Sequence, residues 1–168
     1  TKPTKAAANS QRIATDKIAW AIGKLADLKR PELTDLDSRI FPGHYVPVMV
    51  IENGRRVVKP MRYQCRPAGK PAFYDTKFPG TYNARRDNLD RYWRNEFGRT
   101  HALMVVDSFY ENVEREGKNV VLHFTPRPAY QMLVACLYAD WSDPQEGRLL
   151  SFAAVTDEPP PEIKAAGH

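Results

Sequence analysis

The chain has 168 residues, 42% of them hydrophobic and 27% charged, which suits one folded domain with a sizeable core and excludes a chain that is disordered throughout. Its formal net charge is +5, and the excess is local: from residue 55 to residue 100 there are twelve Lys/Arg against four Asp/Glu. No apolar run approaches a membrane span, two cysteines make no disulfide framework, and His44, His101, His123 and His168 are too scattered for a zinc signature.

Residues 1–15 are small and polar and read as a lead-in. Thr15-Asp16 can cap a helix whose Ile18, Ala21, Ile22, Leu25 and Leu28 share one face, with Pro31 ending it. Residues 1–38 are therefore expected to form a peripheral helical segment of a single domain over 1–168. Residues 46–51 are strand-like, and Asn53-Gly54 is the strongest hairpin signal in the chain, with the return over 55–58. Residues 63–80 hold Pro67, Pro71 and Pro79 with Gly69 and Gly80, and read as an ordered loop or flap. The pattern then predicts a helix over 84–97 with Leu89, Tyr92, Trp93 and Phe97 inward. A strand over 101–106 follows, delivering Phe109-Tyr110-Glu111 at its end. Strands over 119–124, 132–138 and 149–155 come next, and Pro159-Pro160-Pro161 opens a short last helix reaching His168. With no βαβ alternation and no internal repeat, the fold class is α+β: a curved or barrel-like, mostly antiparallel sheet with flanking helices.

The basic stretch has aromatic residues threaded through it: Tyr63, Phe73, Tyr74, Tyr82, Tyr92 and Trp93. A basic run alone is most often a solvated face, but rings among the charges suit bases that stack on them. Asn83 has an amide that can orient a substrate or cap a helix. Arg85 and Arg86 fit phosphate clamps or an ordinary exposed surface, and Arg62 is a likelier third clamp than Arg55 or Arg56 at the hairpin turn. Glu111, beside Phe109 and Tyr110, could act as a general acid/base or be a surface carboxylate. His168 could assist proton transfer or be an idle terminal residue.

Read in order, Pro60-Met61-Arg62-Tyr63, Asn83-Ala84-Arg85, Phe109-Tyr110-Glu111, the strand Val134-Ala135-Cys136-Leu137-Tyr138, Val155-Thr156-Asp157 and the late His168 resemble the SOS response-associated peptidase (SRAP) family over roughly residues 40–168. Three substitutions depart from the family pattern. Asn112 stands for a Trp, Tyr63 for a Trp, and Gln64-Cys65 for a Gly-Leu pair. The resemblance implies a protein that binds single-stranded DNA, recognises abasic sites, and closes a thiazolidine ring on the abasic aldehyde through an N-terminal cysteine. It implies Asn83, Glu111 and His168 as catalytic residues and Arg62, Tyr63, Arg85 and Arg86 as DNA-binding residues. No metal or cofactor is implied, and a cytoplasmic monomer without membrane contact is expected.

The family nucleophile is a cysteine carrying the free α-amine, whereas Thr1 begins this sequence and Cys65 and Cys136 are internal. The expectation is a chain whose true N-terminus is missing, or else a diverged member that binds DNA without cross-linking it. A non-catalytic single-strand-binding module is thus the alternative function. A conventional cysteine protease would need Cys65 or Cys136 beside a histidine, and no motif links either to one.

Overall fold

The computed structural model describes residues 39–115 and 117–159. The expected helices over 15–30 and toward His168 lie outside those residues. The described residues form eight strands: β1 (Tyr45–Glu52), β2 (Arg55–Tyr63), β3 (Asn83–Arg85), β4 (His101–Val106), β5 (Phe109–Arg115), β6 (Lys118–Phe124), β7 (Met132–Asp143) and β8 (Gly147–Thr156).

Asn53 and Gly54 have φ of 50° and 74°, the left-handed pair that a two-residue hairpin loop needs, and Glu52 faces Arg55 across it. From that turn the sheet runs β2-β1-β4-β7-β8, and β2 pairs with β8 to close a five-stranded barrel. The β2–β8 seam is parallel and short, Arg62 opposite Ser151 and Tyr63 opposite Phe152, while the other four seams are antiparallel. Strand β3 adds to the same edge of β8 just beyond the seam, Asn83 opposite Ala154 and Arg85 opposite Thr156. The curved, mostly antiparallel barrel matches the expectation.

Alternation along the strands sets what lies inside. Val46, Val48 and Val50 of β1 point inward with Met61, Ala102, Met104, Cys136 and Phe152. A second cluster, on the outer side, joins Leu137, Ala139 and Ala153 of β7 and β8 to Cys65, Ala84, Leu89 and Trp93. Both faces of β8 are therefore covered, and Ser151, Phe152, Ala153 and Ala154 are all buried in succession.

Three expectations are corrected here. The flanking helices do not occur among the described residues, where the helical elements are one four-residue α-helix, α1 (Tyr74–Lys77), and two short 3-10 turns. The helix expected over 84–97 is replaced by β3, a 3-10 turn at Arg86–Asn88 and a run of turns reaching Gly98. Residues 83–85 find backbone partners on β8 and are lost to any helix. The residues after them include Asp87, Asn88 and Asp90, whose side chains compete for backbone hydrogen bonds. The hydrogen bonds run irregularly, Leu89 to Arg86, Trp93 to Asn88 and Phe97 to Trp93, yet Leu89 and Trp93 still face inward. The Phe-Tyr-Glu motif also shifts: it begins β5 of a separate two-stranded hairpin rather than ending β4. Among the described residues, no helix is long and apolar enough to cross a membrane.

Candidate nucleic-acid interface

The loop between β2 and β3 is stitched down by buried polar groups. Asp75 accepts from both Arg62 and Arg66, and Gln64 donates its side-chain amide to the Asp75 carbonyl at 2.8 Å. Burial pushes the Asp75 carboxyl up, but the Arg66 hydrogen bond and the Arg62 charge outweigh it and hold the group below the usual carboxylate range. Arg66 also lies over the Trp141 ring at 4.5 Å, and Trp141 donates its indole N–H to the Lys70 carbonyl at 2.6 Å. Cys65 N–H donates to the Thr81 carbonyl at 3.0 Å, so the loop returns beside its own start. Sequence reasoning missed Asp75. A single acid in a Pro-rich loop carries no local mark of pairing with two arginines from β2 and its continuation.

This stitching brings Tyr82 against Tyr63, with ring centroids 6.0 Å apart, while Tyr63 stacks on Phe152 at 5.2 Å. Burial, then the neighbouring Tyr82 and Cys136, push the Tyr63 hydroxyl up to about 12. Tyr63 and Arg62 thus form the half-buried wall beneath the Asn83 stretch. Arg62 is committed to Asp75 and to the Gln64 carbonyl.

Asn83 and Arg85 share a cavity of about 290 Å³ with Tyr74, Phe78, Gly80, Thr81, Asn88, Tyr92 and Trp93. Tyr74 and Phe78 tilt against each other at 4.7 Å, Tyr92 meets Trp93 edge-on at 4.9 Å, and the Tyr92 hydroxyl donates to that of Tyr74 at 3.1 Å. Lys70 stands over Tyr74 at 4.9 Å. Thr81 is only 5% exposed, and its hydroxyl has no hydrogen-bond partner among the described residues. Arg85 is exposed and pairs with Asp87 and Glu158, which raise its pKa further; Arg86 pairs with Asp157. Arg91, Arg94 and Arg99 are exposed and form no ion pair among the described residues.

Glu111 is exposed on β5, opposite Leu122 of β6. No hydrogen bond or ion pair among the described residues joins it to Asn83. Its hairpin is held to the barrel start by Arg39, which lies over Phe41 and Tyr110 at 5.3 and 5.8 Å. Gly43 in turn donates to the Tyr63 carbonyl and Tyr63 to that of His44, so the two motifs are linked through Tyr63 and Tyr82 rather than directly. Tyr110 stacks on His123 at 4.4 Å. His168 lies outside the described residues.

Neither cysteine is placed for nucleophilic work. Burial pushes both thiols, Cys65 and Cys136, up to about 12, so each is protonated at neutral pH. A second buried acid is Glu96, 2% exposed, with one oxygen accepting from Ala68 N–H and the other without a partner among the described residues. Burial raises its pKa. A cavity of about 560 Å³ between Leu89, Phe97 and Leu133 on the sheet exterior is mostly apolar and holds none of the expected site residues.

The family model described as SOS response associated peptidase (SRAP) matches residues 7–167. Among solved structures, a protein from Bacteroides thetaiotaomicron is similar at a TM-score of 0.61 and 13% identity, over 69% of this chain and 51% of its own. A protein from Bordetella bronchiseptica has a TM-score of 0.61 at 21% identity, over 71% of this chain and 60% of its own. A phage-related protein from the same organism has a TM-score of 0.51 at 20% identity, over 70% and 55%. The chain spans about half the length of the solved structures it matches, and at these identities they bear on the fold alone. No curated protein matches the sequence.

Proposed function

The chain belongs to the SOS response-associated peptidase (SRAP) family, and from that premise we propose that it binds single-stranded DNA and recognises abasic sites in the response to DNA damage. One observation carries the reading: Asn83 and Arg85 open into one cavity walled by aromatic rings, within the most basic part of the chain. Rings for bases and guanidinium groups for phosphates are the two parts that a single-strand surface needs. Exposed ion pairs such as Arg85 with Glu158 and Arg86 with Asp157 are weak, so a phosphate can replace the carboxylates. Arg91, Arg94 and Arg99 extend the same basic segment and form no ion pair among the described residues.

Covalent capture requires a cysteine with a free α-amine. The amine attacks the C1′ aldehyde of the opened abasic sugar, water leaves, and the thiol closes on the same carbon. Two bonds to C1′ form and one water is released. Cys65 and Cys136 have neither the amine nor an accessible thiolate; the family resemblance gives this step to a cysteine at the amino terminus. In this scheme Asn83 orients the amine or sugar, while Glu111, assisted by His168, carries the proton that opens the sugar ring.

Affinity for undamaged single-stranded DNA should fall steeply with salt, and Arg85→Ala should lower the log–log slope by about one if Arg85 holds one phosphate. An unchanged slope returns Arg85 to the solvated surface. With a cysteine as the amino-terminal residue, an abasic oligonucleotide should give a denaturation-resistant band. Glu111→Gln should then slow its appearance, since acid–base assistance is worth about 10²–10⁴-fold. A full-rate Glu111→Gln variant, or a band formed through Cys65 or Cys136, overturns the capture scheme.

A further inference from the structure

The cavity beside Asn83 has more in it than phosphate binding or sugar chemistry uses. Four aromatic side chains, Tyr74, Phe78, Tyr92 and Trp93, line a space of about 290 Å³, near the lower bound of small-ligand pockets at roughly 300–1,000 Å³. That is room for one planar ring system rather than a peptide segment or a folded partner. Phe78 is 46% exposed although it is a large apolar ring, and Tyr92 is 38% exposed. That exposure leaves ring surface for a ligand to cover beside Lys77, whose ammonium stands 5.6 Å from the Phe78 ring centroid.

The polar groups in the same cavity are of the kind that read a base edge. Asn83 and Asn88 carry amides that both donate and accept. Thr81 contributes a buried hydroxyl that has no hydrogen-bond partner among the described residues. Arg85 lines the same cavity and is exposed, so a phosphate attached to the occupant can meet its guanidinium. Rings, amides, an unsatisfied hydroxyl and one cation correspond to a nucleotide, part by part.

We propose that this cavity is a nucleobase pocket, taking one unstacked base of the bound strand next to the nucleotide held at Asn83. The inference rests on the single-strand reading above and adds a distinct claim. The strand is held by a base as well as by its phosphates, and damage recognition has a neighbouring intact nucleotide as its anchor.

The test compares two strands of equal length and charge. One is fluorescein-labelled oligothymidylate, and in the other, tetrahydrofuran spacers replace every nucleoside. One stacked base is worth about 1–3 kcal/mol, so the protein should prefer oligothymidylate by roughly five-fold to a hundred-fold. Phe78→Ala should bring the two affinities near parity by weakening only the base-bearing strand, and Phe78→Tyr, which keeps the ring, should retain the preference. Since Phe78 is half exposed, both variants should fold. Equal binding of both strands by the unmodified protein overturns the pocket and leaves DNA binding standing. A preference that survives Phe78→Ala also overturns the pocket, because another surface then reads the base. Binding of neither strand sinks the single-strand reading itself.

Discussion

Gln64 has φ of 96°, a left-handed backbone that side chains resist, and it stands where the family pattern has glycine. Its amide offsets the strain by donating to the carbonyls of Asp75 and Pro79. Alanine at this position keeps the strain and loses both bonds, while glycine loses the bonds and relieves the strain. Gln64→Gly should therefore be more stable than Gln64→Ala by about 1–2 kcal/mol, the usual cost of left-handed backbone. Equal urea midpoints would mean that the loop relaxes without cost. Asp75 is the complementary case, an acid whose folded pKa is depressed. Its contribution is present above the ordinary value of 3.8 and disappears as pH falls through the lower folded value. Replacing it with Asn leaves Arg62 and Arg66 in a partly buried site without their carboxylate. That loss should exceed what a surface pair contributes.

At the scale of elements, the segment from Arg86 to Gly98 keeps the buried face of a helix without being one. Leu89 and Trp93 were legible as inward residues because a four-residue spacing survives in irregular turns; Tyr92 and Phe97, expected beside them, are exposed. What was not legible is that Asn83-Ala84-Arg85 would pair with β8. That pairing depends on an edge left free where β2 stops, and no local pattern carries such information. The strands read well for the opposite reason: Val46, Val48 and Val50 alternate along β1, and Asn53-Gly54 fixes the turn by backbone conformation alone. Of the site, the basic and aromatic character of the Asn83 stretch could be read from composition. The pairing of Arg62 with Asp75 and the burial of Glu96 could not, since both require the loop to be folded. Glu96 gives a test of this element. Burial raises its folded pKa above 4.5, so its contribution is fully present below that value and is lost as pH rises through the higher folded value. Glu96→Gln can still accept from Ala68 and carries no charge. Its stability relative to the unmodified protein should rise between acid and neutral pH. A difference that does not change with pH would show that the carboxylate is solvated in the folded state.

Across the whole molecule, cohesion is uneven. The seams β1–β2 and β7–β8 each pair eight residues, β4–β7 pairs six, and closure at β2–β8 rests on two. The β5–β6 hairpin belongs to a sheet of its own and carries Glu111, and Arg39 lies over its Tyr110 ring. An isolated two-stranded hairpin is marginal in water, whereas strands inside a closed barrel open only with the whole. Amide hydrogen exchange should therefore protect β4, β7 and β8 most and release Tyr110, Asn112, Leu122 and Phe124 earliest, with the amides near the β2–β8 seam between. The ordering matters for function. If the hairpin opens well below the energy of global unfolding, Glu111 reaches a bound sugar by movement of its hairpin against a rigid wall bearing Asn83. DNA should then slow exchange in the hairpin more than in the barrel. Hairpin amides as slow as those of β7 in the free protein, unchanged by an abasic oligonucleotide, would mean that Glu111 is fixed on its exposed strand and that the proton transfer assigned to it belongs to another group.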